Sequence, residues 1–183
     1  MQELLRNRQS GEIDVSVIIV NWNTKELLKN CLNSVYQTIH DLTFEIIVVD
    51  NASSDGSLAM LQQNFPEVIQ IGNRENRGFG AANNQAFAVM QGKYALLLNT
   101  DALLTPGAVK RLWTFCEANS DAAIVCGQLL NADGSKQNSI ASFPSLLTLS
   151  ANTSLLEYLF PRKFPSKRYE HAGPIEVDSA IGA

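Results

Sequence analysis

The 183-residue chain is short of most of the groups that announce a chemistry. It has three cysteines, Cys31, Cys116 and Cys126, which are far apart, odd in number and set among apolar neighbours. That pattern argues against a disulfide framework and a metal cluster, and it predicts reduced thiols in a reducing compartment. The two histidines, His40 and His171, are isolated, and no Gly-x-Ser-x-Gly elbow exists, so a Ser-His-Asp hydrolase is unsupported. No GxGxxG follows the first predicted strand and no GxxxxGK[ST] occurs, which removes the dinucleotide fingerprint and the P-loop. Basic excess is also missing: the net charge is −4, against nucleic-acid binding. No apolar run approaches the ~20 residues that span a bilayer. Residues 1–14 are polar and read as an N-terminal extension rather than a signal peptide. The expected location is cytoplasmic.

What remains is an ordinary globular composition, 45% hydrophobic and 17% charged, with a strong strand–helix alternation. Val15–Val20 and Phe44–Val49 are rich in β-branched residues and read as strands. Val68–Ile71 is a third strand. Tyr94–Leu98 carries an unbroken apolar run, which predicts a strand buried on both faces. Helices are expected from an Asn23 N-cap to about Gln37, over Ser57–Asn64, over Ala81–Met90 with Gly92 as its stop, and from a Thr105 cap with Pro106 at N1. Ala122–Leu130 reads as a strand, Asp133-Gly134 as a hairpin turn with Ser135–Ala141 pairing back, and Pro144–Phe160 as a helix. This alternation predicts βαβ units around a mostly parallel sheet, an α/β fold.

Three polar clusters each follow a predicted strand: Asn21-Trp22-Asn23, Asp50–Asp55 and Asn99-Thr100-Asp101. In a parallel sheet they gather at one edge, where open α/β sheets bind ligands. Asp50 there can accept hydrogen bonds from a base or ribose, and Trp22 offers a flat apolar face. Asp101 supplies a hard oxygen donor for Mg²⁺ or Mn²⁺. Arg74, Arg77, Gly78 and Gly80 stand at a helix entrance, which favours anions. Singly, each has a plainer explanation: a strand-end Asp is more often a cap, and a Trp more often core. Their recurrence at successive strand ends carries the functional reading.

The stretches VSVIIVNWN, EIIVVDNASSDGS, NRGFGAANN and LLLNTDA together resemble the nucleotide-binding half of glycosyltransferase family 2, with the GT-A fold. The resemblance runs from about Val15 to Ala183 and is nearest to the rhamnosyltransferase-like branch, which acts on dTDP-rhamnose. It implies an inverting transfer from a dTDP- or UDP-linked sugar to a glycan or lipid-linked acceptor in cell-surface polysaccharide synthesis. By matching motif, Asp50 would contact the nucleotide base. Asp101 would be the metal-binding member of an Asp-x-Asp element whose first position here is Asn99. Asn21, Trp22, Asn23, Asn51, Asp55, Asn76, Arg77, Gly78, Asn83 and Thr100 would line the substrate site.

The family's catalytic base lies in a Glu-Asp pair downstream of the metal motif, and no such pair follows Asp101, so the base is expected beyond Ala183 in a truncated chain. Two alternatives stand beside transfer. One is a module that binds nucleotide sugar without turnover. The other is a nucleotidyltransferase, disfavoured because Asn21-Trp22-Asn23 replace the glycine- and basic-rich loop it needs. Leu146, Leu147, Leu155, Leu156 and Leu159, followed by Arg162, Lys163, Lys167 and Arg168, further suggest a face toward the acceptor or an anionic membrane.

Overall fold

A computed structural model describes residues 12–137, 139–141, 143, 153–160 and 173–180. The chain forms two compact units that divide between Ala123 and Ile124. The first unit holds strands β1 (Ile13–Asn21), β2 (Phe44–Asp50), β3 (Ile69–Gly72) and β4 (Gly92–Leu97). Between and after them run helices α1 (Lys25–Thr38), α2 (Ser57–Asn64), α3 (Phe79–Phe87) and α4 (Ala108–Ala118). The strands form one sheet in the order β3-β2-β1-β4, and every pairing is parallel. Each connection contains a helix, as parallel neighbours require.

Period-two alternation sends β1 and β2 side chains to two different cores. Val15, Val17, Ile19, Ile46 and Val48 meet Leu28, Cys31, Leu32 and Val35 of α1, Met60 and Leu61 of α2 and Val109 of α4. Ile18, Ile47 and Val49 meet Ala82 and Ala86 of α3. A sheet covered on both faces explains why β1 and β2 read as near-continuous apolar runs.

β4 departs from that pattern. It was expected to be buried on both faces, yet Lys93, Ala95 and Leu97 are exposed, Leu97 at 41%. The reason is coverage: α3 packs over β1 and β2, and β4 is the edge of the sheet among the described strands. Gly92 is not a helix stop but the first residue of β4, and a Cβ there would lie 2.4 Å from the Ser16 backbone nitrogen. The close approach lets Gly92 N–H donate to Ser16 Oγ at 2.8 Å, while Ser16 Oγ donates to the buried carboxylate of Glu45.

Two N-caps also differ from expectation. α1 starts after Thr24, and α4 starts after Gly107 in the left-handed region at φ 75°. α3 begins two residues before the expected Ala81.

Ala122–Leu130, most of it in the second unit, forms no strand among the described residues beyond a single Leu130–Lys136 antiparallel bridge. The expected turn is present: Asn131 and Ser135 close around Gly134, with Asn131 N–H donating to Ser135 C=O at 2.8 Å. β5 (Ile140–Ala141) pairs with β6 (Ser179–Ala180), antiparallel, rather than turning back on the preceding segment. Of the expected helix Pro144–Phe160, α5 (Thr153–Leu159) is described, while Leu146, Leu147 and the basic cluster at 162–168 lie outside the described residues. Among the described residues no helix is long and apolar enough to cross a membrane.

Candidate active site

Parallel pairing brings the strand ends together. Asn21 is in register with Asp50, Asp50 with Gly72, and Leu98 N–H donates to Ile18 C=O at 2.9 Å, so Asn99–Asp101 emerge at the same edge. The loops leaving β1 and β2 are stitched to each other. Asn21 Nδ2 donates to Asp50 Oδ2 at 2.7 Å and to Ser53 Oγ at 3.1 Å, and Ser53 N–H donates to Asp50 Oδ1 at 2.8 Å. Asn23 N–H donates to Ser53 Oγ at 2.9 Å, and its Oδ1 accepts from Ser54 N–H at 2.8 Å. Asn23 therefore faces the neighbouring loop rather than capping α1, and it pays with a left-handed φ of 54°. Ala52 sits at φ 66°, strain that a non-glycine residue holds only when its surroundings dictate the loop.

Asn21 and Asp50 are fully buried, and both Asp50 oxygens already hold internal donors. Asp55 is committed as well. Its Oδ2 accepts from Lys25 N–H at 2.8 Å, the first free donor of α1, and its Oδ1 from Ser57 N–H at 3.0 Å, at the start of α2. Burial alone would raise the Asp55 pKa, but hydrogen bonds from Ser57 and from the Lys25 backbone outweigh it and hold the carboxyl below its ordinary value. The stabilisation from this depressed group is present above the unfolded-state pKa of ~3.9 and is lost as pH falls through the folded value. Urea midpoints of the wild type and Asp55→Asn should thus differ at neutral pH and converge below about pH 4. A gap unchanged from pH 7 to pH 3 would contradict the double-cap role.

The third cluster stays open. Asp101 is exposed and accepts no hydrogen bond among the described residues. Beneath it, Cys31 Sγ lies 3.5 Å from the Asn99 carbonyl oxygen. Burial, with the Asp101 charge adding to it, pushes the Cys31 thiol up to about 12, which excludes a thiolate nucleophile. Thr100 Oγ1 is 3.0 Å from Thr24 Oγ1, which is 2.7 Å from Asn21 Oδ1. Trp22 is 57% exposed beside these loops, so it is not core.

A fourth element borders the edge. Asn51, 2% exposed, accepts at Oδ1 from Asn73 Nδ2 at 2.9 Å and from Arg77 N–H at 3.5 Å, and donates through Nδ2 to Gly78 C=O at 3.4 Å. Asn73 and Gln85 close a reciprocal amide pair with both bonds at 2.9 Å. Together they hold the loop that carries Asn76 and Arg77 to the start of α3. Asn76 Oδ1 accepts from Gly78 N–H at 2.9 Å, and Gly78 adopts φ 79° to open the helix, which has no side-chain cap. Arg74 and Arg77 are exposed and form no ion pair among the described residues. Asn83 is buried and donates to Phe79 C=O at 3.0 Å inside α3.

The structure thus gathers Asn21, Trp22, Asn23, Asp50, Asn51, Asp55, Asn76, Arg77, Gly78, Asn99, Thr100 and Asp101 around the C-terminal edge of the sheet. Thr24, Ser53 and Asn73 are additions. Asn73 directly follows β3 and so carried the same strand-end signal as the others. Thr24 and Ser53 act through partners 76 and 32 residues away, which no local pattern records.

The residues present fit a hard divalent cation in a limited way. Asp101 is a free oxygen donor with Asn99 two residues before it, and no group of three or more His, Cys, Asp or Glu that suits a metal exists among the described residues. A ligand bringing its own oxygens would have to complete the shell.

Comparison with known proteins agrees with this architecture. An uncharacterized glycosyltransferase, YfnE of Bacillus subtilis (strain 168), is 39% identical over 115 residues, covering 61% of this chain and 29% of the relative. The poly(ribitol-phosphate) beta-glucosyltransferase of Bacillus spizizenii (strain ATCC 23059 / NRRL B-14472 / W23) is 33% identical over 125 residues, covering 66% of this chain and 20% of the relative. The chain therefore spans less than a third of the length of these curated relatives. Among solved structures, the mannosyltransferase PcManGT from Pyrobaculum calidifontis, in complex with GDP-Man and Mn²⁺, superposes with a TM-score of 0.53 at 21% identity. That match covers 70% of this chain and 43% of PcManGT, and it supports a GT-A fold. The profile described as glycosyl transferase family 2 matches residues 16–178, nearly the whole chain, which belongs to that family.

Proposed function

We propose that this chain is the donor half of a sugar-nucleotide-dependent glycosyltransferase that works in polysaccharide synthesis. The observation that carries the reading is the stitched rim: three strand-end loops are locked to one another while Trp22, Arg77 and Asp101 remain exposed around it. The resemblance assigns Asp50 to the base; fully buried here, it would serve the base and ribose by anchoring the Asn21 and Ser53 loops, while Asn51 holds the loop that carries Asn76 and Arg77. Trp22 would give the base or sugar an apolar wall. Arg77 and the uncapped start of α3 would attract the diphosphate.

Asp101, with Asn99 beside it, would hold Mg²⁺ or Mn²⁺ against the diphosphate oxygens. The Mn²⁺ in PcManGT favours a divalent ion. Bound there, the ion would neutralise charge on the departing nucleoside diphosphate. In the overall reaction an acceptor hydroxyl oxygen bonds to the anomeric carbon, the bond from that carbon to the diphosphate breaks, and the hydroxyl proton passes to a base. Resemblance to the rhamnosyltransferase-like branch points to a dTDP- or UDP-linked sugar, rhamnose among them, and to a glycan or lipid-linked acceptor.

Calorimetric titration of UDP, dTDP, GDP and ADP, each with and without Mn²⁺, tests the reading. A pyrimidine nucleoside diphosphate should bind best and gain affinity from Mn²⁺. Absence of binding by all four would end it.

A peripheral lipid contact is supported by α5 and its flank, where Leu155, Tyr158, Leu159 and Phe160 are all more than half exposed. Co-sedimentation with anionic vesicles at low salt, where attraction is greatest, should show binding. Protein left entirely in the supernatant would remove this contact without touching the donor site.

A further inference from the structure

We propose that Thr24 is a positioning residue that couples the Asp101 end of β4 to the Asp50 end of β2 through one directed chain, Thr100–Thr24–Asn21–Asp50. This rests on the donor-site reading above. Thr24 is the N-cap of α1, the position at which a threonine hydroxyl ordinarily accepts from its own helix. Here it makes no such bond, and Asp55 accepts from Lys25 N–H in its place. The hydroxyl is diverted to the sheet edge, 2.7 Å from Asn21 Oδ1 and 3.0 Å from Thr100 Oγ1.

The chain has one consistent direction. Asp50 accepts at Oδ1 from Ser53 N–H and presents Oδ2 to Asn21, whose Nδ2 donates to it at 2.7 Å. That leaves Asn21 Oδ1 facing Thr24, which must spend its single proton there. Thr24 can then only accept from Thr100, so the Thr100 hydroxyl is the donor. Asn21 is fully buried, and Thr24 is the only described donor to its Oδ1. Thr100 is bonded to Asp101 in sequence, so holding the Thr100 side chain orients the backbone that presents the Asp101 carboxylate. Removing the Thr24 hydroxyl would release Asp101 on one side. On the other it would leave a buried amide oxygen unpaired, freeing Asn21 to turn away from Asp50. The two ends would then no longer be ordered together for a ligand that touches both.

The test is calorimetry of UDP and dTDP with and without Mn²⁺ on the wild type, Thr24→Val, Thr24→Ser and Thr100→Val. The expected result is that Thr24→Val and Thr100→Val reduce the Mn²⁺ enhancement of nucleotide affinity about tenfold, equivalent to about 1.4 kcal/mol of coupling. Thr24→Ser, which keeps the hydroxyl, should preserve the enhancement. A purely structural role would weaken binding equally with and without the ion. An unchanged enhancement in folded Thr24→Val, or a loss as large in Thr24→Ser, overturns the proposal, and Thr100→Val cuts the same link if Thr24→Val does not fold. If the wild type itself shows no Mn²⁺ enhancement, the metal part of the functional reading fails on its own. The chain is then judged by urea unfolding of Thr24→Val, Thr100→Val and the double variant: non-additive losses uphold it, and additive losses overturn it.

Discussion

Asp50→Asn should destabilise the first unit by about 2–4 kcal/mol, although the replacement is isosteric. The side chain is fully buried, and its two oxygens accept from two different donors, Asn21 Nδ2 and Ser53 N–H. An asparagine has one oxygen. As long as Thr24 holds Asn21 Oδ1, one N–H group meets another N–H in a fully buried site, whichever way the new amide turns. The same change should weaken nucleoside diphosphate binding, because Asn21 and the Ser53 loop lose their anchor. Urea unfolding of the variant provides the first number and calorimetry with dTDP the second. A midpoint shift worth less than about 0.5 kcal/mol, the scale of an ordinary surface change, would show that the carboxylate is not the anchor.

Asp101→Asn is expected to behave in the opposite way. The residue is exposed and accepts no hydrogen bond among the described residues, so stability should stay within about 0.5 kcal/mol of the wild type. The loss should fall on the metal. Removing the carboxylate leaves only neutral oxygens, and the Mn²⁺ enhancement of diphosphate binding should drop by at least the ~10–100-fold that loss of an outer-shell partner costs. Nucleotide affinity without the ion should hardly change. An enhancement that survives in Asp101→Asn would move the ion away from this strand end.

The contrast between these two carboxylates follows from position, and position was largely legible. β1 and β2 are β-branched runs covered on both faces, and α2 runs over Ser57–Asn64 as its spacing predicts. Polar residues at the ends of parallel strands must share an edge, so the strand pattern alone places Asn21, Asp50 and Asp101 together. What the sequence concealed is long-range. β4 carries the apolar run of a buried strand, but burial depends on what packs over it, and α3 packs chiefly over β1 and β2. Asn23 carries the local signature of an N-cap, yet its oxygen finds a donor 31 residues away. The resemblance puts Asp55 at the substrate site, and the structure shows its carboxylate capping α1 and α2, the first through a partner that no local pattern records. Ala122–Leu130 has strand composition, but a strand also needs a paired edge, and among the described residues only a Leu130–Lys136 bridge is formed.

The most direct test of the central claim, that one ligand joins the Asp101 loop to the Asp50 loop, is paramagnetic broadening by Mn²⁺ in the backbone amide spectrum of this chain with saturating dTDP. The expected result is selective loss of the Asn99–Asp101 and Arg77–Gly78 signals, absent in Asp101→Asn, with dTDP itself shifting Asn21, Asp50 and Asn51. Broadening centred elsewhere in the chain, or the same broadening in Asp101→Asn, would contradict it.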